Sequence, residues 1–568
     1  MGYISFRKIA ESINKRVITV GNGSTSVMLF HSNNPSMRSN SRRAFLKSAG
    51  AAGALGTTAL AGCIGFDDDD GEELDLDEEI HFVIPTSGAN PDRNDLGHLI
   101  VENMEAIGFD VDLEELDFDT HVNQAIVEHE FDVSLLGWGG TPERIDPHIF
   151  LMDMHHSGFT DPGGRNSPGY ENPDYDELAE AQAQEVDEDA RRDLVFEAQE
   201  MLADDQPRCY IANEGGDHPY NSERLESVNP TLGEGLNGFW NFMNAQPADG
   251  VEQVTFGYSA DIISLNPMQD MATPDRQFIR LIYDQLYRFG EEGEPIPWLA
   301  EDDPEISEDG TEFTVTIREG HTFHDGEEVT IDDVVFSYEL FGEFSPTYSI
   351  YLEAIEEMET DGNQITFHLS EPDATFARNA LAQIYIFPEH IWGDIGDPTE
   401  EGDDEYIGSG PYEFVAWERE VEMQLARFDD HFHPPNIEML IRVPGDEATI
   451  MDEIEAGSLD MAGEDPTPTQ ADRLEGEDHV DLVSFDAIGH AKLAYNMRND
   501  HMDDVHIRRA ISYCVPKEAF VEDIRGGMGS VTHSPIAPVL EDWHNPDVRE
   551  YTEDLDAARE ELREGGYL

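Results

Sequence analysis

The stretch FDVSLLGWGGTPERIDPHIF, residues 131–150, is the part of the sequence that decides the fold. After Asp132 it holds an apolar run without charge, and that run ends in the turn Trp138-Gly139-Gly140. An apolar run bounded by turn residues predicts a buried strand. In an open α/β sheet the carboxyl end of such a strand lines the ligand crevice. The stretch therefore predicts a strand leading into a cleft loop, although Trp138 is also compatible with ordinary core packing.

The residues before this stretch alternate between strand and helix patterns. Ile80–Pro85 and the pair Val111 and Leu113 predict strands, and residues 96–107 carry one apolar helical stripe. Asp119 is predicted to cap the helix that leads into residues 131–150. Strand, helix, strand, helix, strand in this order predicts a parallel sheet with right-handed crossovers.

The remaining chain divides into segments of different character. Two helices are predicted between residues 174 and 203, and a short strand follows at 208–212. Residues 214–250 are rich in Gly, Asn and Pro and predict a crossing linker rather than a core element. Apolar alternation over 313–317 predicts a strand, and Thr330 with Asp333 predicts a capping box that opens a helix.

The charge balance is extreme for a globular chain. The 568 residues carry a formal net charge of -90, with 39% hydrophobic and 27% charged residues. Residues 1–62 hold eight of the 33 basic residues, and beyond them the only lysines are Lys492 and Lys517. Because molar salt screens such self-repulsion within about 3 Å, the composition predicts a halophilic protein. It also excludes nucleic-acid binding through a basic patch.

Residues 1–62 read as an export signal. Arg42 and Arg43 precede a short, weakly apolar run that ends in Leu-Ala-Gly-Cys at Cys63. The paired arginines resemble the twin-arginine motif, and the last four residues resemble a lipobox with lipid attached to Cys63. Met37 is a candidate for the true start, and residues 63–78 predict an acidic, flexible tether.

Several later segments carry a family resemblance. They include Phe323-His324-Asp325-Gly326, the turn Gly408 to Tyr412, and the 131–138 strand. Together they resemble the extracytoplasmic solute-binding proteins of the dipeptide, oligopeptide and nickel class, family 5, which serve ABC importers. The resemblance implies an α/β, two-lobed periplasmic-binding-protein fold of type II with an extra subdomain and a hinge. It also implies a monomeric receptor that needs no cofactor and hands its ligand to a permease with ATPase subunits.

The order of these segments differs from that of the family. Segments that open the family's mature chain begin near Val251, and those that close it lie between Glu79 and Trp240. This order indicates a circular permutation. Residues 79–213 and 495–568 are then predicted to form lobe II, 214–250 the crossing linker, and 251–494 lobe I with a subdomain near 283–397. Strand Ile80–Pro85 should therefore lie close to the C-terminal helix.

The resemblance also implies a binding site at the cleft. The loop from Trp138 to Thr141 is expected to face Asn266, with the end of a crossing strand nearby. Peptide-binding members carry an aspartate at the position of Thr141, so either Glu143 or Asp146 substitutes for it or the ligand lacks a free amine. The residues predicted to bind the solute are Trp138, Gly139, Gly140, Thr141, Asn266, Tyr495, Asn496 and Met497.

No catalytic motif is present in the sequence, so we predict a binding protein rather than an enzyme. A secreted hydrolase is the alternative of another class, and a receptor for a nickel or other metal chelate is the alternative among binding proteins. Histidines pair at His155-His156, His321 with His324, and His431 with His433, but such loop pairs usually face solvent, so no metal site is predicted. Cys209 and Cys514 are predicted to be buried free thiols, with a disulfide as the alternative.

Overall fold

The computed structural model describes residues 74–76, 78–141, 144–260, 262–269, 273–400, 402 and 405–568. The predicted export signal, with Arg42, Arg43, Met37 and Cys63, and most of the predicted tether lie outside these residues. No helix in the described part combines the length and apolar character that crossing a bilayer requires.

Strands and helices are numbered separately in chain order. The strands are β1 (Ile80–Pro85), β2 (Val111–Leu116), β3 (Val133–Trp138), β4 (Arg208–Asn213), β5 (Gly216–Asn221), β6 (Leu225–Ser227), β7 (Gln246–Pro247), β8 (Gln253–Tyr258), β9 (Tyr287–Phe289), β10 (Pro295–Pro297), β11 (Glu305–Ile306), β12 (Glu312–Thr316), β13 (Ile355–Asp361), β14 (Gln364–Leu369), β15 (Tyr412–Glu418), β16 (Glu422–Arg427), β17 (Met439–Pro444), β18 (Met461–Ala462), β19 (Val480–Phe485), β20 (His490–Tyr495) and β21 (Ser530–Val531). The helices are α1 (Pro91–Ala106), α2 (Phe118–Val122), α3 (Pro173–Gln184), α4 (Glu188–Asp205), α5 (Phe239–Asn244), α6 (Thr273–Ile282), α7 (Ile331–Phe344), α8 (Pro346–Ser349), α9 (Glu389–Trp392), α10 (Glu447–Glu455), α11 (Pro468–Leu474), α12 (Val505–Ser512), α13 (Lys517–Ala519) and α14 (Leu555–Gly565).

Local sequence explains where the principal helices begin and end. The Asn90 side chain accepts a hydrogen bond from Arg93 N and so caps α1, which also has proline at its first position. The predicted capping box of Thr330 and Asp333 opens α7. The second helix of the chain is capped by Asp117, not by Asp119 as the sequence predicted, because its first turn begins one residue after Asp117.

The first large sheet has six strands in the order β2-β1-β3-β20-β4-β21. The pairs β1-β2 and β1-β3 are parallel, as predicted, whereas β20 runs antiparallel to both β3 and β4. One core, formed on one side of this sheet, includes Ile80, Leu96, Leu135 and Leu493. The name lobe II is used below for the part of the chain that builds this sheet, residues 74–213 and 490–568.

The second large sheet has seven strands in the order β15-β16-β17-β8-β18-β5-β19. A separate four-stranded sheet, β11-β12-β14-β13, lies within the predicted subdomain at about 283–397. The largest apolar core of the chain joins these elements and runs from Leu225 to Met461 in sequence. The name lobe I is used below for residues 216–485, and the two lobes together form the two-lobed α/β fold.

Two predicted boundaries need correction. Residues 214–250 are not merely a linker, because β5 pairs with β18 and β19 inside the sheet of lobe I, and α5 buries Phe239 and Phe242 in its core. Gly- and Asn-rich composition hid these short elements. Residues 490–494 belong to lobe II rather than lobe I, because β20 pairs with β3 and β4. The chain therefore crosses between the lobes at 213–216 and again at 485–490.

The C-terminal helix α14 packs against α12 and belongs to the same core as β1, so the two lie in one lobe as predicted. Ala558 and Leu562 share the apolar core with Ile80, and Asp75 N donates a hydrogen bond to Tyr567 O at 2.8 Å. Gly566 ends α14 with φ 83, a left-handed conformation that glycine adopts without a steric penalty. The beginning of the described chain and its last helix therefore fold together in lobe II.

Candidate functional site

A cavity of about 950 Å³ lies between lobe II and the subdomain of lobe I. This volume is at the upper end of the range for small-molecule sites. Lobe II contributes residues between 146 and 184, and lobe I contributes residues between 350 and 379. The apolar part of the lining includes Ile149, Met152, Phe159 and Tyr351. A solute in this cavity would contact both lobes at once.

The lobe II wall of the cavity rests on a buried support. A π-helical turn, Ile149–Asp153, follows the loop after β3 and buries Phe150 and Leu151. Tyr175 on α3 donates its hydroxyl hydrogen bond to Leu151 O at 2.7 Å. Asn172 caps α3 by accepting a hydrogen bond from Asp174 N. The π-helical turn is thus fixed to α3 on its buried side, and Ile149 and Met152 line the cavity.

Asp146 joins the lobes at the edge of this cavity. Its carboxylate accepts two hydrogen bonds from Arg191 of α4, at 3.0 and 2.6 Å, and lies 3.1 Å from Nε of Arg378 in lobe I. Burial opposes the charged form, but Arg191 and Arg378 hold the pKa of Asp146 below its usual range. Ala374 N also donates to Ala183 O across the interface at 2.9 Å. No sequence pattern pointed to this contact, because its partners lie 45 and 232 residues from Asp146 along the chain.

The charged lining of the cavity is largely paired. Asp153 forms an ion pair with Arg165 at 2.5 Å, and Glu180 lies 3.2 Å from His156. Two further acids, Glu371 and Asp373, come from lobe I. Arg165 is the cationic side chain that links this lining to the Trp138 loop.

Trp138 lies beside the cavity and does not line it. The Arg165 guanidinium carbon is 5.1 Å from the centre of the indole ring, and that of Arg144 is 4.5 Å away. Nζ of Lys492 is 5.5 Å from the same centre. The indole also packs partly against the core around Phe150. Trp138 therefore combines the packing role and the cleft-side position that the sequence left as alternatives.

The Gly139-Gly140 turn packs closely against residues 485–490, where the chain crosses between the lobes. A Cβ atom on Gly140 would lie 2.2 Å from Gly489 N, so only glycine fits at this position. The loop is also close to Gly233 of lobe I. Thr141 is buried, and its carbonyl accepts a hydrogen bond from Arg144 N. These three loop residues lie at the lobe boundary but do not line the 950 Å³ cavity.

Two predicted binding residues are interior residues of lobe II. The Tyr495 hydroxyl lies 2.7 Å from Ser512 Oγ within the core, and Asn496 Nδ2 donates to the carbonyls of His129 and Phe131. Met497 packs partly against the core of Phe150 and donates its backbone N–H to Pro168 O. Tyr495 is the last residue of β20, and Asn496 and Met497 follow it directly, so their role in binding stays a prediction.

Asn266 also has its partners within lobe I. Its Nδ2 donates to Pro398 O at 2.9 Å, and its Oδ1 accepts from Met268 N at 2.9 Å. The structure does not bring its side chain into the cavity lining. Its contacts are those of a residue that fixes a loop.

Two of the paired histidines meet at a buried carboxylate that sequence reasoning missed. Asp284 Oδ2 lies 3.2 Å from His321 Nε2 and 3.3 Å from His431 Nε2. It also accepts from Ser409 Oγ, while Oδ1 accepts from Trp298 Nε1 at 2.6 Å. Burial opposes the charged form of Asp284, but His431 and His321 hold its pKa well below the usual range.

The charge of this carboxylate decides how the two histidines bond to it, because an ionised carboxylate accepts hydrogen bonds and cannot donate them. His431 Nδ1 lies 3.0 Å from His433 N and 2.9 Å from His433 O, so these contacts fit either role of Nδ1, and Nε2 is the atom that faces the Asp284 carboxylate. His321 Nε2 faces two acceptors, Asp284 Oδ2 and Ser409 O, so it also donates. The arrangement is therefore that of a hydrogen-bonded hub, and His321 and His431 are buried rather than solvent-facing as the sequence suggested.

Comparison with known proteins gives the family. Residues 58–160 and 294–568 match the bacterial extracellular solute-binding proteins, family 5. This chain belongs to that family. Family 5 members bind solutes, which agrees with the prediction of a binding protein rather than an enzyme.

The curated relatives include peptide-binding proteins. The chain is 28% identical over 285 residues to the oligopeptide-binding protein AppA of Bacillus subtilis, covering 47% of this chain and 51% of that protein. It is 27% identical over 302 residues to the dipeptide-binding protein of Escherichia coli, covering 48% and 55%. The chain thus spans about half the length of these relatives. Among solved structures, DppA from Helicobacter pylori with the peptide STSA has a TM-score of 0.45, 21% identity, and coverage of 56% of this chain and 65% of that one.

Glu143 and Asp146 are the two residues predicted to bind a ligand amine in place of the aspartate missing at Thr141. Glu143, one of the two candidates, lies outside the described residues. Asp146, the other, is buried and bound by Arg191 and Arg378. Its charge is already neutralised within the protein, so anchoring a ligand amine would require it to give up an arginine partner.

Cys209 and Cys514 are both buried and free, as predicted. Burial raises the pKa of the Cys514 thiol above its usual value. Neither residue lies in the cavity lining.

Proposed function

We propose that this family 5 protein is the substrate-binding receptor of an ABC importer. It captures a peptide or related small organic solute between its lobes and delivers it to a membrane permease with ATPase subunits. A ligand that contacts both lobes favours the closed arrangement by its differential affinity for that arrangement. We propose that it works as a monomer.

The observation that carries this proposal is the 950 Å³ cavity with walls from both lobes. Its mixed lining of Ile149, Met152 and Tyr351 with charged residues suits an organic solute that has both apolar and polar parts. The two crossings at 213–216 and 485–490 provide the hinge that closure needs.

We also propose that the chain is circularly permuted relative to the family. The contact between Asp75 and Tyr567 supports this, because a short connection would suffice to join α14 to β1. The crossing from β4 into β5, which leads on to β8, supplies the joint between the former ends. Matches spanning about half of each relative are also expected when two blocks have exchanged order. Moving residues 74–250 behind Leu568 by gene rearrangement should give a protein that folds with the same stability and binds the same solute.

Export and anchoring are further parts of the proposal. Arg42-Arg43 and Leu-Ala-Gly-Cys63 support twin-arginine export and lipid attachment on the extracellular face of the membrane. The net charge of -90 supports a high-salt habitat. Mass spectrometry of the mature protein should give a chain that begins at lipid-modified Cys63, and Cys63→Ser should release the protein from the membrane.

Solute release and rebinding test the receptor role. Protein purified in molar KCl is denatured, the released small molecules are identified by mass spectrometry, and their rebinding is measured by calorimetry. Ile149→Trp fills the cavity from the lobe II wall and should abolish rebinding. Ile263→Trp, at an exposed position of lobe I, is the matched control and should bind normally. Absence of any released solute, or equal binding by Ile149→Trp, would contradict the proposal.

A further inference from the structure

Lys492 is a buried basic residue on the sheet of lobe II, and no described residue forms an ion pair with it. It lies on β20, opposite Leu136 of β3 and Tyr210 of β4, and is 4% exposed. Among the described residues its Nζ has no hydrogen bond and no ion pair, and its aromatic neighbour is Trp138 at 5.5 Å. A buried ammonium in this situation is strongly unfavourable, so it either loses its proton or meets an anion.

The side chains around Lys492 have unused hydrogen-bond donors. Within the described part of the chain, Trp138 Nε1, Arg208 Nε and both ring nitrogens of His490 are buried without a hydrogen-bond partner. His490 is the cross-strand neighbour of Trp138, and its ring packs 4.7 Å from that of Tyr210. The indole and guanidinium nitrogens can only donate, and a neutral imidazole has one donor. What the cluster lacks is therefore an acceptor.

Among the described residues, Glu214 is the acid whose charge acts on Lys492, but it does not supply that acceptor. Glu214 forms ion pairs with Arg93 and Arg525, so its charge is shared between two arginines. Burial, together with the nearby Arg208 and Arg93 guanidinium groups, lowers the pKa of Lys492 well below its usual value. Cations accumulate here although residues 63–568 contain only two lysines and 122 acidic residues.

The cluster adjoins the interlobe cavity. Arg165 lines the cavity, and its guanidinium group lies against the same indole ring as Lys492. Trp138 is half-buried at this point. The cavity lining and the cluster around Lys492 thus share the Trp138 ring as a common neighbour.

We propose that Lys492, His490 and Trp138 form an anion subsite that holds a carboxylate group of the captured solute. The inference rests on the proposed function and narrows its substrate class to solutes with a carboxylate. It agrees with Thr141, which stands where peptide-binding members have an amine-binding aspartate, because recognition then depends on the negative end of the solute. A free halide ion would accept hydrogen bonds from the same donors. The experiment must therefore distinguish a solute carboxylate from a free halide.

Lysine resonances offer a direct measurement. The chain has five lysines, so ¹⁵N-lysine labelling gives few Nζ signals, and Lys492→Met assigns the one of interest. Ligand-free protein in potassium sulfate is titrated with sodium acetate and, separately, with sodium chloride. A shift of the Lys492 signal with acetate alone supports a solute carboxylate, and a shift with chloride as well supports a free anion as a second occupant. No shift with either salt at 100 mM, a concentration on the order of those that fill weak anion sites, would overturn the proposal.

A matched pair of variants extends the test to the solute. Lys492→Met should weaken the affinity for a released carboxylate-bearing solute at least about tenfold. Arg419→Met removes a cation 4.3 Å from the Trp417 ring in lobe I and should leave the affinity unchanged. Equal binding by Lys492→Met would overturn the subsite and leave the receptor role intact. If no solute is released at all, the receptor role fails, and the acetate titration still reports on the subsite.

Discussion

Asp284 in lobe I and Lys492 in lobe II are both buried charges, but their surroundings are opposite. The Asp284 carboxylate accepts hydrogen bonds from Trp298, Ser409, His321 and His431. Lys492 has no hydrogen-bond partner among the described residues. A buried charge that finds its partners within the chain stabilises the fold, whereas one without partners indicates a group supplied from outside.

The largest effect should come from Asp284→Asn. The substitution removes the negative charge and replaces one carboxylate oxygen by an NH₂ group. That NH₂ group then faces buried hydrogen-bond donors, which lose their acceptor. We expect the free energy of unfolding to fall by about 3–5 kcal/mol, measured by urea denaturation in molar KCl. Asp193→Asn, on the exposed face of α4, should change it by less than about 0.5 kcal/mol. Equal effects of the two substitutions would mean that the hydrogen bonds of Asp284 do not stabilise the fold.

The next largest effect on stability should come from buried neutral histidines, and it should depend on pH. Burial lowers the pKa of His121 to about 4 and that of His218 to about 3. The unfolded chain binds protons near pH 6.5 while these folded histidines do not, so stability is complete above pH 6.5 and declines as the pH falls towards 4. Each contributes up to about 1.4 kcal/mol per pH unit over this window.

Urea denaturation at pH 7.5, 6.0 and 5.0 would measure this decline. His121→Gln keeps a polar group near Ser134, its hydrogen-bond partner at 2.9 Å, but cannot titrate. The variant should lose less stability than the native chain between pH 6.0 and 5.0. An unchanged pH dependence would show that His121 does not stay neutral in the folded protein.

The sequence was sufficient for most of the fold because its signals are local. Apolar periodicity gave β1 at its observed bounds and located α1 and β2, and the capping box gave the start of α7. It failed at residues 214–250, where β5 is short and rich in residues typical of turns and α5 is only six residues long. Their burial comes from packing against lobe I, which no local window records.

The site was less predictable because its contacts are long-range. Trp138 was located correctly at the end of a strand near the cleft, but the cavity wall itself comes from the π-helical turn that follows and from the subdomain of lobe I. The hydrogen-bond partners of Asp284 lie 14 to 147 residues away from it along the chain, and its ion-pair partner Arg288 lies four residues away. Neither the hub nor the bridge from Asp146 to Arg378 leaves a pattern in the sequence.

Lys492→Met should change the stability of the ligand-free protein much less than Asp284→Asn does, and should not lower it by a comparable amount. Methionine has a similar length and removes a charge that is buried without a partner, so we expect the free energy of unfolding to stay within about 1 kcal/mol or to rise. Acetate should stabilise the native chain against urea but not the variant, because only the native chain gains a bound anion. A loss as large as that of Asp284→Asn would mean that the ammonium is satisfied inside the protein. The two charges would then be of one kind, and the lack of a partner at Lys492 would no longer point to a ligand.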